Sequence, residues 1–322
     1  MSQHVSFLAG IALLSALFCL GLDMPSHAAD AADSRTSYRA YVDGPWGQVH
    51  VRVDGSSHAP TVILVHQMIW SSQQFRYAQQ ELSARGVRSI AVDLPGYGMS
   101  DGPPAPPTAT EYAEVLLPVM RHFGLKATNL LGVNEGGTIV CAFAAAHPAM
   151  VKSLIIEGPV IVDSIGQAKY FSQPHEYQTP RPDGSHLEKL WRHLDSADTK
   201  ISATLQSPAA TKISVGGMQS ILMSIFAAGP NGWFAQDAAY RYDLQDLLRR
   251  LKMPVMLLTY RGQQFQQAAL DLETIRPDFS LQNLDWDGVA ASYDAPAEWA
   301  DAVANYLKSS HYGTAGGRSK TP

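Results

Sequence analysis

The sequence predicts an α/β protein in which a doubly wound, mostly parallel sheet is interrupted by an inserted helical cap. Three observations predict it. Continuous apolar runs at residues 61–65, 87–92, 151–156 and 254–259 are too short for helices and lack polar alternation, as strands buried on both faces do. Segments of helical spacing separate these runs with short turns, the rhythm of a sheet built from right-handed crossovers. Between residues 161 and 250 the strand-like runs stop, and helical stretches rich in Gln, Ser and aromatic side chains replace them. With 46% hydrophobic and 16% charged residues in 322, the chain can bury a sizeable core.

Residues 38–42 and 48–53 flank Asp43-Gly44-Pro45-Trp46-Gly47 and read as an antiparallel hairpin. The 61–65 strand follows. Phe75, Ala78 and Leu82 space a helix over 73–85, and Gly86 stops it. Strand 87–92 closes on the dense turn Asp93-Leu94-Pro95-Gly96-Tyr97-Gly98-Met99-Ser100-Asp101, where Asp93 and Ser100 are expected to fix the turn by local hydrogen bonds. A helix over 110–123, a short strand at 128–131, a helix over 138–147 and strand 151–156 complete the first part of the core, 38–160. The cap spans 161–250. The second part of the core, 251–310, holds strand 254–259, helix 264–275, strand 279–284 and helix 298–307, and a tail at 311–322 is expected to fray.

An apolar stretch from 5 to 22 precedes Ser26-His27-Ala28-Ala29, whose small residues suit cleavage after Ala28 or Ala29. This predicts a signal peptide over 1–29, a linker over 30–37, and a secreted or periplasmic protein. An uncleaved membrane anchor is the rival, because only His4 and the α-amino group could carry positive charge ahead of the apolar stretch. Cys19 would leave with the signal. Cys141 would then stand alone among Val140, Ala142 and Phe143, a core residue without a disulfide partner. The net charge of −5 and the lack of a basic run argue against nucleic acid and anionic membrane as partners.

Leu130-Leu131-Gly132-Val133-Asn134-Glu135-Gly136-Gly137 has the glycine framework of a G-x-S-x-G strand-to-helix elbow, with Asn134 at the apex in place of serine. An asparagine amide has no proton to give up near neutral pH and is a poor nucleophile. The elbow, Val65-His66-Gln67, the 93–100 turn, Ala145-Ala146-His147-Pro148 and the order of elements over 38–307 together resemble the α/β-hydrolase superfamily. The turn and the cap are most similar to its epoxide-hydrolase and carbon–carbon-hydrolase branch. The resemblance implies an α/β-hydrolase fold and a nucleophile–acid–histidine relay. The nucleophile slot holds Asn134. The acid slot falls in Tyr260-Arg261-Gly262-Gln263-Gln264-Phe265, which offers amides, and the histidine slot falls on Val289, with no histidine between His193 and His311.

Asn134 therefore has two readings: it holds a strained apex, or its amide bonds a ligand. Glu135 is the only carboxylate of the elbow, a solvated glutamate or, if desolvated, a general base. The resemblance implies an oxyanion hole from the backbone amides of Gln67 and Glu135. His66 is read as a structural imidazole beneath the loop or as an acid/base group. Met68 and Trp70 are expected pocket walls, and Trp191 and Trp233, with Phe226, Phe234 and Tyr240, are cap packing from which some rings would face a cleft. His175, His186 and His193 lie in the cap, and His186, Glu188 and His193 match no standard zinc spacing, so neither a metal nor a cofactor is expected.

The expectation is an exported protein without the serine relay that binds a small hydrophobic molecule in a cap-covered cleft. Two alternatives stay open. One is a hydrolase or lyase using Glu135 or His66 with the amide hole; the other is a purely protein-binding member of the fold.

Overall fold

A computed structural model describes residues 36–312 except 69, 173–179, 196–212 and 264; the expected signal peptide falls outside the described residues, as does the 311–322 tail except for its first two residues, which continue the last helix. Strands β1 (Ser37–Gly44), β2 (Gly47–Asp54), β3 (Thr61–Val65), β4 (Arg88–Val92), β5 (Thr128–Val133), β6 (Val151–Glu157), β7 (Val255–Arg261) and β8 (Ser280–Asp287) form one sheet. Their order is β1-β2-β4-β3-β5-β6-β7-β8. β2 runs antiparallel to β1 and β4, and every other pairing is parallel.

The apolar runs explain which strands are central. Every residue of β3, β4 and β5 is buried, whereas β8, with Gln282, Asn283 and Asp285, is a half-exposed edge. Alternate side chains feed opposite layers. Ile63, Val65, Ile90 and Leu130 join the helices of residues 109–146, and Val62, Leu64, Ala91 and Leu131 pack with Phe75, Leu82, Trp299 and Val303. Cys141 is fully buried in the first layer.

The helix expected over 110–123 is two helices, α2 (Ala109–Glu114) and α3 (Leu116–His122), after α1 at Arg76–Ala84. Pro118 accounts for the break, since it has no N–H to give the carbonyl of Glu114. The helix after the elbow, α4 (Glu135–Ala146), starts earlier than its apolar spacing suggests because Gly136 and Gly137 mask the pattern.

Between β6 and β7 the described residues form helices α5 (Ser164–Phe171), α6 (Ser185–Asp195), α7 (Val215–Ala228), α8 (Phe234–Arg241) and α9 (Leu244–Arg250). Polar contacts pin this cap to the core. Trp70 Nε1 donates to Ser220 Oγ at 2.9 Å, Ser71 and Ser224 share a hydrogen bond at 3.2 Å, and Tyr293 Oη donates to Gly216 O at 3.3 Å. Trp70, Leu190, Ile221, Ile225, Ala290 and Tyr293 form an apolar cluster at that seam. Tyr97 Oη donates to Gly232 O at 2.8 Å and accepts from Ala235 N at 3.1 Å. Tyr97→Phe leaves both backbone groups unpaired and is expected to cost roughly 1–3 kcal/mol. Urea denaturation measures the loss, and limited proteolysis should show faster cutting within the cap.

The last helices are α10 (Gln266–Ile275), α11 (Ala291–Asp294) and α12 (Pro296–Tyr312). Among the described residues no helix is long and apolar enough to cross a membrane.

Candidate functional site

Parallel register brings the carboxyl ends of the central strands together: Val65 lies beside Val92 and Gly132, and Val133 beside Glu157. The chain leaves β3 for β4 on one side and returns to β5 on the other, so the loops after β3 and β5 flank the point where strand order reverses. Crevices outside such points are where open α/β sheets bind ligands. His66 and Gln67 follow β3, and Asn134 and Glu135 follow β5.

Asn134 has φ 46° and ψ −112°, the only non-glycine residue with positive φ among the described residues. Such a conformation costs roughly 1–3 kcal/mol and persists only where the surroundings impose it. Here the backbone N of Asn134 donates to Glu157 O at 2.7 Å, and its O accepts from Gly137 N at 2.9 Å. Close packing also demands Gly132 and Gly136: a Cβ on Gly132 would lie 2.2 Å from Gly136 O.

The Asn134 side chain is held from both sides by amides. Its Nδ2 donates to Gln67 Oε1 at 3.0 Å, and its Oδ1 accepts from Gln263 Nε2 at 2.7 Å. Gln263 Oε1 in turn accepts from Phe265 N at 2.7 Å. Gly158 makes room for this contact, because a Cβ there would fall 1.6 Å from Gln263 Nε2 and 2.4 Å from Asn134 Oδ1.

The Gln67 backbone N–H, expected to face an oxyanion, donates to Gln74 Oε1 at 3.0 Å. Met68 N instead points to Glu135 Oε2 at 3.0 Å, and the Glu135 backbone N–H also stabilises its own carboxylate. The converging amides are thus those of Met68 and Glu135, and the Glu135 carboxyl occupies the space between them. Burial pushes that carboxyl above the usual range, and the Glu135 and Met68 N–H groups only partly offset it.

His66 is fully buried, and both ring nitrogens serve the backbone. Nε2 accepts from Leu94 N at 3.1 Å, so the proton resides on Nδ1, which donates to Gln67 O at 2.8 Å. Burial holds its pKa below the usual value despite Asp93 and the Gln67 carbonyl. The acid/base reading of His66 is corrected here: no ring nitrogen is left for a ligand.

Met68 is buried beside Tyr97, and Trp70 is buried against Tyr293, with ring centroids 5.4 Å apart. Trp191 is 37% exposed on α6. Trp233 packs edge-on to Phe234 at 4.7 Å and against the core. Phe226 is partly exposed on α7, while Tyr240 packs on Tyr170. His186 accepts from Arg181 N, and Glu188 pairs with Arg192 on the surface; His175 and the His193 side chain lie outside the described residues.

A hydroxyl, a carboxylate and an imidazole do meet at the 93–100 turn. His50 Nδ1 bonds Asp93 Oδ2 at 2.8 Å, but Ser100 Oγ accepts from His50 N and donates to Asp93 O. The hydroxyl thus serves backbone, not the ring. Burial opposes the Asp93 charge, yet the hydrogen bonds from His50 and from the Met99 and Ser72 amides help hold the carboxyl below its usual range.

Sequence reasoning missed Glu157. This carboxyl ends β6, is fully buried, and accepts from Tyr260 Oη and Trp299 Nε1, each at 2.7 Å. Burial pushes its pKa up to about 7, against the pull of those two donors. Tyr260 Oη also accepts from Ala291 N at 3.3 Å, beside the Val289 position where a histidine was sought. An acidic residue closing an apolar strand next to the elbow strand was the available signal.

Known proteins share this architecture. The family described as the alpha/beta hydrolase fold matches residues 60–259, more than half of the chain. An uncharacterized carboxylesterase of Bacillus subtilis is 31% identical over 120 residues, 37% of this chain and 40% of that protein. Epoxide hydrolase 3 of Xenopus tropicalis is 34% identical over 112 residues, 33% of this chain and 29% of that protein. The matched part therefore spans less than half of either relative. Among solved structures, an esterase from Exiguobacterium antarcticum superposes with a TM-score of 0.67 at 19% identity, covering 84% of this chain and 99% of its own. An epoxide hydrolase from an endophytic Streptomyces gives 0.66 at 16% identity, covering 85% and 96%. The chain belongs to the α/β-hydrolase-fold family.

Proposed function

We propose that this protein is a non-hydrolytic member of its family that binds a small, largely apolar molecule beneath the cap. One observation carries the reading: the apex side chain is an amide, tied to the amides of Gln67 and Gln263, where a relay would need a hydroxyl, an imidazole and an acid. The Glu135 carboxyl lying across the Met68 and Glu135 amides supports it, since that space would otherwise receive an oxyanion. The apolar seam that Trp70, Tyr293 and α7 form between cap and core supports an apolar rather than a polar ligand. Export follows from the 1–29 segment, and N-terminal sequencing of the protein from its native host checks cleavage after Ala28 or Ala29.

A fluorophosphonate probe is expected to leave the purified protein unlabelled, while thermal-shift screening of apolar metabolites yields stabilising compounds that are recovered unchanged. Stoichiometric labelling of any serine would defeat the proposal.

A second reading keeps catalysis and assigns it to Glu135, whose raised pKa suits a general base. Ester or epoxide turnover abolished by Glu135→Gln is the result that would favour it.

A further inference from the structure

We propose that Arg39, Arg52 and Arg76 bind a phosphate monoester between the β1–β2 hairpin and the first turn of α1. The site shares no residue with the elbow and stands independently of the small-molecule reading above.

Strand register and helix spacing bring the three cations together. Arg39 and Arg52 sit directly opposite across the antiparallel β1–β2 pair, which sets their Cβ atoms roughly 4.5–5.5 Å apart on one face of the sheet. Val51 and Val53 belong to the core layer, so Arg52 points to the other face. There α1 packs on β2, and Gln79 Nε2 donates to Arg52 O at 3.0 Å. Arg76 opens α1 three residues before Gln79, one turn away on the same side of the helix. No basic run marks this group in the sequence, because its members come from three segments.

The protein does not neutralise the group itself. None of the three guanidinium groups has a carboxylate at ion-pair distance among the described residues. The Asp93 carboxylate is engaged by His50 Nδ1 and by the Ser72 and Met99 amides. Burial, then Arg39, then Arg76 push the Arg52 guanidinium below its ordinary value, and Asp93 and Asp54 only partly offset them. Like charges directly opposite weaken a strand pair, so the arrangement costs stability until an anion joins it.

Arg52 is also held in place. It is half-buried, and its Nε is sealed from solvent without an acceptor, while neither Nη nitrogen has a hydrogen bond within the described residues. A guanidinium fixed by its stem with both fork ends free is suited to bidentate recognition of an oxyanion, at little cost in side-chain order. Arg39 and Arg76 are exposed beside it and leave the approach open to solvent. Three cations around one point favour a dianion over a monoanion. A phosphate monoester supplies two charges and three acceptor oxygens, where a carboxylate supplies one charge and two oxygens.

Phenyl phosphate, phenyl sulfate and benzoate share one ring, and at pH 8 the first is a dianion and the others are monoanions. Isothermal titration calorimetry on the full chain at fixed ionic strength compares them. Phenyl phosphate is expected to bind at least roughly tenfold tighter than either monoanion. Arg52→Met keeps an apolar stem and removes the fork, and is expected to weaken phenyl phosphate at least roughly tenfold. If that variant does not fold, Arg39→Gln, on an exposed position, should show the same loss. Arg121→Gln removes an equal charge from α3 and should change the affinity less than about twofold. Equal phenyl phosphate affinity in wild type and the site variants would overturn the inference. So would an Arg121→Gln loss as large as theirs, a monoanion binding as tightly as phenyl phosphate, or no measurable binding of phenyl phosphate. Binding to phosphatidic-acid vesicles without binding of phenyl phosphate would also overturn it, in favour of a membrane surface.

Discussion

Glu157→Gln is expected to flatten much of the pH dependence of this protein's stability. The unfolded carboxyl titrates near 4.5 and the folded one near 7. Between those values the native state keeps a proton that the unfolded chain has released. Stability is therefore highest below the window, falls as pH rises through it, and levels off above it. The gap corresponds to roughly 3 kcal/mol. Glu135, also raised by burial, contributes in the same direction and remains in the variant. Glutamine can still accept from Trp299 Nε1 and donate to the Tyr260 oxygen, because the Tyr260 hydroxyl proton has Val289 O as a second acceptor at 3.2 Å. At pH 5 leucine is a different matter: Glu157→Leu strands the Trp299 N–H and should cost roughly 1–3 kcal/mol. Urea titrations at pH 5 and pH 8 check both variants. Equal pH dependence in wild type and Glu157→Gln would contradict the assignment.

Gly136→Ala is expected to be among the most damaging single-methyl additions to the described core. Its Cβ would lie 2.3 Å from Val65 O and 2.5 Å from His66 O, both backbone atoms that cannot rotate away. Relief would require α4 to back off the sheet, dragging Asn134 and Glu135 out of their hydrogen bonds. The expected loss is at least about 4 kcal/mol, which in a domain of this size lowers Tm by roughly 10 °C or prevents folding. Gly124→Ala is the control. It has positive φ but nothing within 4 Å of the added carbon, so about 1 kcal/mol is expected. Comparable Tm values for the two variants would show that close helix–strand approach is not what makes Gly136 necessary.

The central strands were legible because burial on both faces forces apolar runs such as Thr61–Val65, which no surface helix imitates. Helix limits were less so. Pro118 divides an apolar pattern that spacing alone joins, and the glycines opening α4 hide its first turn. At the site, the glycine framework located Asn134 correctly at a strained apex. What it touches was not readable. Gln263 and Gly158 come from separate strand ends, and only parallel register brings them to Asn134. Glu157 was hidden for the same reason: its partners Tyr260 and Trp299 lie more than a hundred residues away. The oxyanion amides illustrate a finer limit. The family resemblance placed one of them at Gln67, but Gln74 takes that N–H, and the adjacent Met68 amide turns to Glu135 instead.

The claim on which the account stands is that the Asn134 apex performs no acyl chemistry. Side-by-side turnover of p-nitrophenyl butyrate by the purified wild type and Asn134→Ala tests it most directly. Both are expected to match the buffer rate and each other. A wild-type rate well above buffer that collapses on replacing Asn134 would contradict the account.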